Sequence, residues 1–134
     1  MPRCYLVIVC SASSLDVDSN NLSLFNLVER VQFRAGALAQ LIMPLEVHAC
    51  WSFSGDERDR DYEARWVVCG ADGVEVVGKT FPLRTATPRF RMRMFGIGIP
   101  SVSGECAVRT EWRALEGGWT REPVTWPLAL ASID

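Results

Sequence analysis

Histidine is nearly absent from this chain: His48 is the only one in 134 residues. A triad or dyad of the usual base-dependent kind therefore has one candidate base. His48 sits inside an alternating, strand-like segment, and neither a Gly-x-Ser-x-Gly elbow nor a protease-type cysteine context accompanies it. It reads as a structural or exposed side chain, and the chain as a non-enzyme. Glycine-rich phosphate loops, Cys-x-x-Cys pairs and internal repeats are missing too, which removes the common nucleotide and zinc motifs. No apolar run approaches the ~20 residues of a membrane helix, so no membrane span is expected. Arg3 followed by the apolar stretch Cys4 to Cys10 imitates a signal peptide weakly, with one positive residue and an early break into polar residues. Val9 is too bulky for lipoprotein cleavage ahead of Cys10.

What is present fits one folded domain over residues 1–134. Hydrophobic residues make up 49% and charged residues 22%, which excludes the low-hydrophobicity regime of disorder. The formal charge of −2 argues against a protein built for nucleic acid. The five cysteines (Cys4, Cys10, Cys50, Cys69, Cys106) are odd in number and embedded in apolar runs. They read as reduced core residues, which places the protein in the cytoplasm.

Period-two alternation dominates the chain. Cys4 to Cys10 is a short, continuously apolar run, as in a strand central to a sheet. Asp16 to Asn21 is rich in turn-forming side chains, and Leu22 to Phe33 alternates with a slip near Phe25 to Leu27, the mark of a bulge. Ala, Leu, Gln and Met between Arg34 and Met43, bounded by Pro44, suggest one short helix near 35–43, or an ordered loop. Val47, Ala49, Trp51 and Phe53 then share a face opposite Glu46, His48, Cys50 and Ser52. After a charged loop from Ser54 to Asp61, Tyr62, Ala64, Trp66 and Val68 alternate into an Asp72-Gly73 hairpin turn. A strand from Val74 to about Leu83 follows. Arg89 to Pro100 sets Phe90, Met92 and Met94 against Arg89, Arg91 and Arg93. Cys106, Val108, Thr110 and Trp112 alternate next, and Glu116-Gly117-Gly118 turns into a last strand to Leu130. Pro123 and Pro127 assign that strand to a sheet edge. The sum is about eight short strands in an antiparallel two-sheet β-sandwich, with a closed barrel as the rival.

The order of these features resembles a family of small uncharacterised bacterial cytoplasmic β-sandwich proteins, a domain of unknown function. The resemblance rests on the buried first strand, the turn into Asn20-Asn21-Leu22-Ser23-Leu24-Phe25-Asn26-Leu27-Val28-Glu29-Arg30-Val31, the Asp72-Gly73 hairpin, and Pro100 to Gly104 leading to Cys106. It implies an immunoglobulin-like or C2-like fold and no activity.

Local charge is more informative than net charge. Lys79, Arg84, Arg89, Arg91 and Arg93 follow one another without an acid between 79 and 95, a row suited to phosphates or an acidic partner. The plainer reading pairs these arginines across strands with Glu63, Glu75, Glu105 and Glu111, each pair contributing roughly 0.2–1 kcal/mol. Phe95, Ile97 and Ile99 share the arginines' parity, so a regular strand would place them on the charged face. Gly96 and Gly98 permit a bulge that returns them to the core. Asp16-x-Asp18-x-Asn20 begins like a calcium loop, yet Asn21 and Leu27 stand where the glycine and the bidentate glutamate belong. Arg58 and Arg60 interrupt the acids of the Asp56–Asp61 loop. No metal or cofactor is expected. Trp119 and Trp126, on the proline-broken edge, are candidate interface residues. The expectation is a protein-interaction or self-associating assembly module. The alternatives are an anion-binding face for phosphate or nucleic acid at Arg84, Arg89, Arg91 and Arg93 and, more weakly, a calcium-dependent C2-like module.

Overall fold

Alternation becomes strand pairing throughout the computed structural model, which describes residues 1–34, 36 and 40–133. Ten strands are formed among the described residues: β1 (Arg3–Leu15), β2 (Leu22–Leu27), β3 (Arg30–Phe33), β4 (Gln40–Ser52), β5 (Tyr62–Cys69), β6 (Glu75–Val77), β7 (Phe81–Leu83), β8 (Arg89–Pro100), β9 (Gly104–Ala114) and β10 (Thr120–Ser132). A four-stranded sheet has the order β2-β1-β4-β8, and a six-stranded sheet the order β3-β10-β9-β5-β6, with β7 also on β5. One core cluster draws on both sheets: Val7, Val47, Trp51, Met92 and Met94 from the first, Ala64, Trp66, Val68, Val108, Trp112 and Leu128 from the second. Burying these side chains is the main stabilising term, near 25 cal/mol per Å² of apolar surface, as an order of magnitude.

The count of about eight strands becomes ten because two segments divide. The slip near Phe25 to Leu27 is where the chain leaves one sheet for the other: β2 pairs with β1, and β3 with β10. Asn26 takes a left-handed φ of 53° at this point, a conformation asparagine tolerates. The β3–β10 pair is parallel, so the expectation of a wholly antiparallel sandwich is corrected there. The expected strand from Val74 to Leu83 breaks at Gly78, where a Cβ would lie 2.3 Å from the Trp66 ring. The Trp66 ring fills the space that a side chain at 78 would need, and the Gly78 amide donates to the Trp66 carbonyl at 2.9 Å.

The helix expected near 35–43 is corrected over 40–43, which opens β4 as strand; residues 35 and 37–39 lie outside the described residues. Leu41 and Met43 pack against the core from this extended segment. The assignment of the last strand to an edge is also corrected, since β10 lies between β3 and β9. β3, however, covers only Ala129 to Ser132. Pro123 lies in the register shift between Arg121 and Thr125, and Pro127 lies before β3 begins, so neither proline interrupts a two-sided ladder.

The change of phase after Met94 is a real bulge. The β4–β8 register shifts between Met43 and Glu46, and Gly96 adopts a φ of +85°. Ile97 and Ile99 are thereby fully buried, whereas Phe95 stays 61% exposed on the arginine side.

Candidate functional site

The four-stranded sheet carries the chemistry on the face turned away from the core. Register places His48 of β4 opposite Ile8 of β1 on one side and Arg93 of β8 on the other. Arg89, Arg91 and Arg93 project from β8 beside them. β8 and β2 are opposite edges of the sheet, yet Arg91 Nη2 donates to the backbone oxygen of Asn20 at 2.7 Å and to its Oδ1 at 3.1 Å. Asn20 closes the β1–β2 turn, which Asp16 shapes by accepting from the Asp18 and Ser19 amides. The sheet is therefore curled on its outer side, and the turn reaches over to β8.

The curl encloses a cavity of about 580 Å³ whose polar lining is Ser13, Asn20, His48 and the three arginines. Tyr5, Leu15, Leu22 and Phe90 supply apolar wall. No carboxylate lines it among the described residues. Beneath it lies a buried polar cluster centred on Glu46, which is 4% exposed. Its Oε2 accepts from Arg93 Nη2 at 2.9 Å; its Oε1 accepts from the Ser13 hydroxyl at 2.6 Å and from His48 Nε2 at 2.8 Å. The Arg93 hydrogen bond, with those of Ser13 and His48, outweighs desolvation and holds the Glu46 carboxyl down at about 2. Cys10, directly across from Glu46, is fully buried, and burial raises its pKa with the Glu46 charge assisting.

The arginines thus differ. Arg93 is neutralised by Glu46, whereas no carboxylate ion-pairs with Arg89 or Arg91 among the described residues. Arg89 stands 6.0 Å over the Tyr5 ring, and Arg91 donates to two neutral oxygens of Asn20. Arg84 is not brought to this cavity; it pairs with Asp61 at 2.9 Å on the surface. The expected cross-strand pairing of these arginines with Glu63, Glu75, Glu105 and Glu111 is not formed among the described residues. Glu63, Glu75 and Glu111 face outward on the six-stranded sheet, where they bind Arg113, Arg109 and Arg65. That network nearly buries Arg109 and Glu111, at 5% and 7% exposure.

Trp119 lies over it, its ring 3.9 Å from the Arg65 guanidinium carbon and 4.5 Å from that of Arg113. Trp126 donates its Nε1 hydrogen to the Val28 carbonyl at 2.7 Å and packs on the core. Both are half-buried and already engaged within the fold. The cluster of Cys10, Glu46 and His48 escapes sequence reasoning, because only the adjacency of β1 and β4 assembles it; the one signal was Glu46-x-His48 on a single strand face.

All five cysteines are free. No helix is long and apolar enough to cross a membrane among the described residues. No protein-family model matches the chain, and no curated protein matches it.

Proposed function

We propose that the curled face of the four-stranded sheet binds a small anionic ligand, a phosphate or carboxylate borne on an apolar or aromatic body. The observation that carries this reading is that Arg89 and Arg91 flank a cavity of about 580 Å³ with no carboxylate among the described residues to neutralise them. Clustered positive charge is unfavourable unless an anion answers it, and a guanidinium offers planar, paired donors for phosphate or carboxylate oxygens. The volume falls within the usual range of small-molecule sites. Leu15, Leu22 and Phe90 suit the apolar part of such a ligand. The domain is read as a β-sandwich of immunoglobulin-like or C2-like type, with the arginine face as a binding surface and no catalytic role.

Calorimetric titration with phenyl phosphate and inorganic phosphate tests it. Binding is expected to weaken as salt rises. Arg89→Ala and Arg91→Ala should each weaken it by about tenfold or more, the loss of one charged hydrogen bond. Salt-independent binding, or affinity unchanged in both variants, contradicts the reading.

A second reading, a protein-interaction or self-association role, is favoured by a different surface. Ile42, Phe95 and Val77 are exposed at 75%, 61% and 47%. They line a cavity of about 500 Å³ where the edge strands β6 and β8 approach each other. Unpaired edges beside apolar side chains invite strand addition. Light scattering across concentrations should then show association that Phe95→Glu abolishes; a monomer at all concentrations contradicts self-association.

A further inference from the structure

We propose that Cys10, Glu46 and His48 form a site for one divalent transition metal of the zinc class, at the floor of the arginine cavity. The thiol sulfur, a carboxylate oxygen and an imidazole nitrogen all lie within 4.8 Å of one another. All three side chains are buried. The backbone fixes this arrangement: Cys10 is the register partner of Glu46 across β1 and β4, and His48 follows Glu46 by two residues on the same face. Tetrahedral zinc, with bonds of about 2.0–2.3 Å, separates its donor atoms by roughly 3.3–3.8 Å. The His48–Glu46 pair at 2.8 Å must open slightly, and any pair near the 4.8 Å limit must close by up to about an ångström, movements within reach of side-chain rotation.

The donor set selects the metal class. Sulfur, nitrogen and oxygen together suit zinc or cobalt, whereas calcium and magnesium demand oxygen alone. The surroundings are those of a supported site: Arg93 holds Glu46 Oε2, leaving Oε1 toward the cluster, and Ser13 steadies Oε1. Ser13 and His48 also line the cavity, which gives the ion a route in. On binding, the Cys10 thiol proton passes to water, and the proton on His48 Nε2 transfers through solvent to Nδ1, freeing the Nε2 lone pair. The dication, thiolate and carboxylate sum to zero, so Arg93 leaves one net positive charge. Three protein ligands would leave a fourth position for water or an anion.

The test uses the full chain, stripped by chelator, and Co2+ alone as probe. One Co2+ per chain is expected, with tetrahedral absorption and a thiolate-to-cobalt charge-transfer band. Cys10→Ser should lose that band and weaken binding by more than about tenfold, as should His48→Gln without loss of the thiol. Cys50→Ser should change neither. Absence of stoichiometric binding, or a charge-transfer band surviving in Cys10→Ser, overturns the proposal. Zn2+ must also raise the thermal midpoint of the wild type, as a ligand of the folded state does; an unmoved midpoint overturns it whatever the variants do. Because the metal is the only probe, failure here leaves the phosphate titration to stand or fall separately.

Discussion

Glu46→Gln is expected to destabilise the fold by about 1–2 kcal/mol at neutral pH and to flatten its response to acid. In the folded protein the carboxyl is held at about 2 against an ordinary value of 4.5. At 1.36 kcal/mol per pH unit, that gap corresponds to at most ~3 kcal/mol. The Arg93 partner is 55% exposed, so water screens the pair and the guanidinium can resolvate when its partner is lost. Those effects bring the figure to about 1–2 kcal/mol. The sign follows from the lowered value: the contribution is complete above 4.5 and disappears as pH falls toward about 2. Urea unfolding across that window measures it in wild type and variant, with the slope on denaturant checking that both remain two-state. The difference between them should shrink toward zero at the acid end. A variant as stable as wild type at neutral pH, or a gap that does not change with pH, refutes the reasoning.

Two glycines carry further predictions. Gly78→Ala should cost ~1–3 kcal/mol by overpacking, since the new methyl lies 2.3–2.6 Å from Trp66 ring atoms, and thermal unfolding together with Trp66 fluorescence reports it. Gly96→Ala meets nothing within 4 Å yet must hold a φ of +85°, so a loss of ~1 kcal/mol in urea is expected from backbone conformation alone.

How far the chain could be read ahead of its structure depended on whether a feature was local. Alternation put Val47, Ala49, Trp51 and Phe53 in the core and Arg89, Arg91 and Arg93 outside, because pleating is set by neighbouring residues. Asp72-Gly73 turned as expected, with Gly73 at a φ of 84°. The parity clash at Phe95, Ile97 and Ile99 pointed to the bulge at Gly96. Period two names a face without naming the sheet, however. Glu63, Glu75 and Glu111 therefore looked like partners for arginines that lie on the opposite side of the molecule. His48 looked like an ordinary outer-face residue, yet the β1–β2 hairpin curls over that face and leaves it 5% exposed. Cys10 and Glu46 are far apart in sequence and meet only through strand order, which no short-range pattern encodes. The proline rule placed β10 at an edge because it weighs each residue singly, whereas β3 covers only the strand's far end. The helix formers from Gln40 to Met43 yielded to the packing of Leu41 and Met43, which propensity does not register.

Chemical-shift mapping by NMR with phenyl phosphate at low salt tests the proposed anion site most directly. Saturable shifts are expected at the Arg89 and Arg91 side chains, His48 and the Asn20 turn, with the six-stranded sheet unchanged. Shifts confined to the Arg65, Arg109 and Arg113 face, or none that saturate, would contradict an anion site on the curled sheet.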